Sequence, residues 1–156
     1  MNSPLYQRDC LEIPTPDSYQ PGRTDGKSLN RVLAEFSARV KLHLEIMIEK
    51  TIGEIEAKIR GADAVNADRK RELIELLGQL KSEVGALAKT NDEQAESIAG
   101  FAQVSAHEAT RASQNPQLLQ HSLQGLKSSV DGFEQSHPKL VQIVNGISNT
   151  LSNLGI

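Results

Sequence analysis

Tryptophan is absent from this sequence, and the remaining aromatics are few: three phenylalanines and two tyrosines in 156 residues. That scarcity argues against stacking platforms for single-stranded nucleic acid, and it leaves a core to be built from Leu, Ile, Val and Ala. A single cysteine, Cys10, permits no intramolecular disulfide framework and fits a reducing compartment. No apolar run approaches the roughly 18 residues of a membrane span; the longest aliphatic stretch is Ile46-Met47-Ile48. The first residues lack the basic-then-apolar pattern of a secretory signal, so the expected location is the cytoplasm. There is no excess of positive charge either. A net charge of -3 gives no global attraction to nucleic acid, and none is expected as a partner. A Gly-rich phosphate loop, a Cys-x-x-Cys pair and strand-like alternation are all missing.

What is present is 38 % apolar and 24 % charged residues, enough for one ordinary domain with a usable core. Residues 1–27 differ from the rest. They hold Pro4, Pro14, Pro16 and Pro21, both tyrosines and no periodicity, so they read as a flexible N-terminal arm. The arm is either a plain tail or a docking peptide anchored by Leu11, Ile13 and Tyr19. Residues 28–156 are expected to form an all-α domain of about five helices, arranged as helical hairpins in an elongated bundle or coiled coil.

The spacing predicts a first helix capped by Ser28 and running to about Arg60, where Gly61 stops it. Its apolar positions are Leu29, Val32, Leu33, Phe36, Val40, Leu44, Ile48, Ile52, Ile55 and Ile59. They step 4-3-4, then 4-4-4 from Val40 to Ile52, then 3-4, which is a heptad seam with one stutter. Asn66 caps a second helix to about Lys89, with Leu73, Leu77, Leu80, Val84 and Leu87 at 4-3-4-3 spacing. Thr90 and Glu93 form a capping-box pattern before a third helix to about Ala112, whose stripe (Ile98, Phe101, Ala102, Ser105, Ala109) is small. Asn115-Pro116 starts a fourth helix carrying Leu119, Leu123, Leu126, Val130 and Phe133. The last helix follows Ser136-His137-Pro138 and carries Leu140, Val144, Ile147, Leu151 and Leu154.

Two features bear on association. Residues 115–156 carry only Lys127, Asp131, Glu134 and Lys139 as charges, with Ser, Gln and Asn elsewhere. Such a surface either lies against another subunit or is simply rich in neutral polar residues. Gly78 and Gly85, and Gly125 and Gly132, are each seven apart; they either admit a second backbone closely or are tolerated costs of about 1 kcal/mol each.

Candidate chemistry is thin. Ser136 and His137 would point about 100° apart on a helix, so Ser136 reads as the cap of the last helix rather than an activated nucleophile. Glu134-Gln-Ser-His137 matches half of a di-metal carboxylate motif, yet His43, His107 and His121 supply no second Glu-x-x-His. The alternative reading, a metal- or small-ligand-binding bundle and possible enzyme, rests on Glu134 and His137. Arg69-Lys70-Arg71 is followed by Glu72 and Glu75 and reads as a solvated face.

The stretch Phe133-Glu134-Gln135-Ser136-His137-Pro138, then Leu140, then Leu151 to Ile156, resembles the C-terminal signature of a small bacterial family classed only as a domain of unknown function, the "four-four-zero-four" family. Arg71 to Leu77 resembles its Arg-Glu-Leu-Ile-Glu-Leu-Leu helix. The resemblance spans roughly residues 45–89 and 118–156, with the arm, the front of the first helix and residues 90–117 as additions. It implies a cytoplasmic bacterial helical protein and brings no reaction, cofactor or catalytic residue. A terminal Leu154-Gly155-Ile156 invites a left-handed Gly155 that folds Ile156 back onto the helix. The expectation is a non-enzymatic, cofactor-free interaction or scaffold protein. It self-associates through its heptad seams, with Phe133, Leu140, Leu151 and Ile156 packing the C-terminal end, Leu77 and Leu126 at hairpin or subunit contacts, and residues 1–27 free for a protein partner.

Overall fold

The computed structural model describes residues 26–154, so residues 1–25 of the arm with its anchors Leu11, Ile13 and Tyr19, and the terminal Gly155 and Ile156, lie outside the described residues, while Gly26 and Lys27, expected in the arm, belong to the first helix. Five α-helices make up 82 % of what is described, and no strand occurs among the described residues. They are α1 (Gly26–Gly61), α2 (Ala67–Leu87), α3 (Asp92–Thr110), α4 (Pro116–Ser128) and α5 (Pro138–Leu154). The chain divides into two units at Glu35 and Phe36. Of the first, the structure describes the opening turns of α1, residues 26–35, every one of them exposed.

The second unit is built on α2 to α5, an up-down-up-down four-helix arrangement. Adjacent pairs are α2 with α3, α3 with α4, α4 with α5 and α5 with α2, and α3 also meets α5 across the diagonal. Cross-contacts give the directions. Lys139 on α5 reaches Glu83 on α2 at 2.8 Å, while Gly146 lies over Leu76, so the two helices run antiparallel. Phe101 lies over Gly125, and Gln94 Nε2 donates to the Ser129 carbonyl, so α3 and α4 are antiparallel too. Short connections favour this topology. From Phe36 onwards, α1 lies along the α2–α3 side, joined by Glu49–Lys81 (3.5 Å), Gln103 Nε2 to Glu54 (3.2 Å) and Lys58 Nζ to His107 Nδ1 (2.8 Å).

The seams of α2, α4 and α5 close inside the chain. Leu73, Leu77, Leu80, Val84 and Leu87 are buried on α2, Leu119, Leu123 and Leu126 on α4, and Leu140, Val144, Ile147 and Leu151 on α5. Ile48, Ile52, Ile55 and Ile59 complete the core from α1. Burying such a side chain stabilises by roughly 1.5–3 kcal/mol, which is why these helices hold together without side-chain aromatics at the centre. Helix α3 joins through small residues: Ala95, Ala99, Ala102, Ala106 and Ala109 surround Ile98 and allow close helix approach.

Several local expectations change. Ser28 lies inside α1, which already begins at Gly26, so its hydroxyl does not cap that helix. Thr90 does not cap α3: its N–H and that of Asn91 both bond to the Leu87 carbonyl (3.0 and 2.8 Å), and its hydroxyl donates there too (3.2 Å). Thr90 is thus taken up in closing α2, and Asn91 occupies the cap position without a capping side-chain bond, its Nδ2 donating instead to Thr90 Oγ1 at 3.4 Å. Phe101 is 41 % exposed and lies outside the core. The fourth helix stops at Ser128, before Val130 and Phe133, and Gly132 turns the chain with φ 86°. Gly132 therefore shares no helix face with Gly125. A Cβ at Gly78 or Gly85 would meet nothing within 4 Å, so neither lies under another backbone of the described chain, whereas Gly125 is covered by the Phe101 ring. Asn66 and Asn115 do cap their helices. Asn66 Oδ1 accepts from Arg69 N at 2.9 Å, and Asn115 Oδ1 accepts from Gln117 N and Leu118 N at 3.1 and 3.2 Å.

Candidate interaction site

The Ser136–His137 pair sits in the turn that joins α4 to α5. Successive N–H donors fold this segment: Asp131 to Ser128 O, Phe133 to Val130 O and His137 to Phe133 O. Because the pair lies ahead of α5 and not within a helix, the two side chains do meet, with Ser136 Oγ and His137 Nδ1 3.0 Å apart. Ser136 therefore spends its hydroxyl on the imidazole, while His137 occupies the position before Pro138 and its carbonyl accepts from Val141 N at 3.3 Å. The imidazole stands edge-on to the half-buried Phe133 ring, with centroids 5.5 Å apart. Activation of a serine needs a base that a third group orients. Among the described residues no such group is bonded to His137, and Ser136 and Glu134 are both exposed. Among the described residues no three His, Cys, Asp or Glu side chains gather as a metal set. His43, His107 and His121 fall on α1, α3 and α4, and His107 is bonded to Lys58.

The seam residues named from the sequence are brought together, but as the core of one chain. Leu77 and Leu126 are 1 % and 0 % exposed, so neither is available to a second subunit. Val130 is buried just past α4, and Leu154 and Phe133 pack against the core from its edge. The sequence reading missed Val65, an apolar plug in the α1–α2 connection, and Ile143, which sits one residue before Val144. It placed Ser105 on the inward stripe of α3 but missed the other buried hydroxyls. Ser122, Ser129 and Thr150 return theirs to backbone carbonyls of their own turn, while Ser105 and Ser148 find no partner among the described residues.

Phe101 and Val104 on α3 and Leu118 on α4 are exposed, but the longest run of exposed apolar side chains among the described residues is on α1. Leu29, Val32 and Leu33 are 54–59 % exposed in the first unit, and Phe36 and Val40 are 67 % and 46 % exposed in the second. Single exposed apolar residues are ordinary, but a run at helical spacing marks a contact face. Within the second unit a groove of about 440 Å³ lies between α1 and the start of α3. Val40, Leu44 and Met47 are part of its α1 wall, and Asp92, Glu93 and Glu96 rim it from α3. A second, polar groove between α4 and α5 is lined by Gln120, Gln124, Asn149 and Ser152 over leucines already committed to the core.

A family model described as a domain of unknown function, DUF4404, matches residues 73–156, more than half of the chain. The match takes in most of α2 and all of α3, α4 and α5. It includes residues 90–117, which the sequence resemblance set aside as additions, and begins well after residue 45, so α1 lies ahead of it. No curated protein and no solved structure matches the chain. On that match, the chain belongs to the DUF4404 family of domains of unknown function.

Proposed function

We propose that this chain is a non-enzymatic helical interaction protein that self-associates, and that the associating element is α1. One observation carries the reading. Leu29, Val32, Leu33, Phe36 and Val40 repeat at heptad spacing and stay exposed, while the seams of α2, α4 and α5 are consumed inside the bundle. A solvent-exposed seam of five large apolar side chains is costly to leave in water, at about 25 cal/mol for each Å² of apolar surface. Helix pairing is the ordinary way such a stripe is covered. A cytoplasmic setting, a scaffold role and absence of catalysis belong to the same proposal; the isolated histidines and the two-residue Ser136–His137 contact support it.

Light scattering on the purified chain tests the reading. The expected mass is a multiple of the 17.0 kDa chain, falling to that of a single chain in Phe36→Asp with unchanged helicity. A single-chain mass for the unsubstituted protein across micromolar to millimolar concentration overturns it.

A further inference from the structure

We infer that the groove between α1 and α3 receives the opening turns of α1 from a second copy of this chain, running antiparallel about Ala38. This inference rests on the self-association proposed above and names its partner surface and direction.

The apolar pattern of α1 is self-complementary about that point. Reversing the helix on Ala38 sets Leu29 level with Met47, Val32 with Leu44, and Phe36 with Val40. Val40, Leu44 and Met47 lie on an α1 wall of the groove that His43, Ile48 and Thr51 also line, and Leu29, Val32 and Phe36 are exposed side chains without a partner among the described residues; Leu33, also exposed, falls level with His43. Ile48, one position on from Met47, is only 3 % exposed and already committed to the core, so the seam available to a partner ends where this pairing ends. Residues 26–42 are all exposed, and the one hydrogen bond they make outside α1 among the described residues is Lys41 Nζ to the Lys89 carbonyl at 3.3 Å, so a second chain can approach their apolar side chains without displacing packed ones.

Charge fixes the direction. The front of α1, Gly26 to Leu42, carries Lys27, Arg31, Arg39 and Lys41 against Glu35; from His43 to Glu54 it carries Glu45, Glu49 and Glu54 against Lys50. The groove adds Asp92, Glu93 and Glu96 on its α3 rim. In the antiparallel arrangement Lys27 is level with Glu49, Arg31 with Glu45, and Glu35 with Lys41. A parallel pair would set the basic front against the basic front and the acidic stretch against its copy. These residues flank the seam, so they select orientation and speed encounter more than they add affinity.

Cysteine cross-linking in the full chain tests it, with Cys10→Ser removing the natural thiol. Leu29→Cys and Met47→Cys variants are mixed, allowed to exchange and oxidised, and each is also oxidised alone. Antiparallel pairing brings positions 29 and 47 of different chains within the roughly 7 Å that a disulfide spans. Each variant alone leaves its thiols about 27 Å apart along the pair. The expected result is at least tenfold more cross-linked dimer in the mixture than in either variant alone. Efficient cross-linking of each variant alone overturns the antiparallel arrangement and leaves self-association standing. So does a dimeric mass with no cross-link in any arm. A single-chain mass in the same samples removes the underlying reading as well.

Discussion

The two ends of α1 are equally apolar and meet opposite fates. Towards its C-terminus Ile48, Ile52, Ile55 and Ile59 are 0–3 % exposed; towards its N-terminus Leu29, Val32, Leu33 and Phe36 are 54–67 % exposed. The stutter between them supplies the physical reason. Each step of four residues advances a stripe by about 40° around a helix of 3.6 residues per turn, and the three successive steps from Val40 to Ile52 turn it by roughly 120°. One helix therefore presents two separate apolar faces. One is committed to the chain's own bundle, and the other is left for something else. Apolar periodicity announces that a face is to be covered; it does not say by what.

The largest test of that distinction sets one seam residue against the other. Leu126 is fully buried between α4 and its neighbours, while Phe36 is two-thirds exposed. Leu126→Asp removes a packed leucine and strands a carboxylate in an aliphatic core, costing at least about 4 kcal/mol, which is much of a typical domain's stability. Circular dichroism should show lost helix and a collapsed melting transition, not a smaller assembly of folded chains. Phe36→Asp should leave the far-ultraviolet spectrum intact and change only the mass. Equal helix loss in both variants would erase the difference between the two faces.

Much of the bundle was legible from spacing alone because its periodic positions are the buried ones: Leu73, Leu77, Leu80, Val84 and Leu87 on α2, Leu119, Leu123 and Leu126 on α4, and Leu140, Val144, Ile147 and Leu151 on α5. What escaped the reading did so for local reasons. Thr90 matches a capping pattern, but the turn closing α2 had already claimed it. Val130 and Phe133 continue the α4 spacing through a turn, since a compact turn can aim side chains inward as well as a helix can. Ser136 and His137 were judged by helical geometry although they lie outside a helix. The α1–α3 groove was the least legible feature: it joins residues about 50 positions apart, and neither Asp92 nor Glu96 belongs to an apolar pattern.

Covered and uncovered positions can be separated again with glycines. Gly125 lies beneath Phe101, and a Cβ there would come within 2.7 Å of ring atom Cδ1. Gly125→Ala forces the ring to move, a cost of about 1–3 kcal/mol offset by about 1 kcal/mol of helix propensity, so a net loss of up to about 2 kcal/mol is expected, turning into a gain in a Phe101→Ala background where the space is open. Gly78 is exposed on α2 with nothing near it. Gly78→Ala should instead stabilise by up to about 1 kcal/mol, since alanine is the better helix former. Chemical denaturation of the three variants measures the sign in each case.

The smallest effect contrasts two residues that look alike as caps. Asn66 Oδ1 accepts the Arg69 N–H at the start of α2, so Asn66→Ala should cost about 1 kcal/mol. Ser28 lies within α1 and is exposed. There the change to alanine removes no cap bond and gains a few tenths of a kcal/mol in helix propensity, so the denaturation midpoint should hold or rise slightly. A loss of about 1 kcal/mol in Ser28→Ala would mean that α1 begins at residue 29. The exposed stripe would then lose its first turn, and the pairing of Leu29 with Met47 would weaken most, because it lies at the end of the seam.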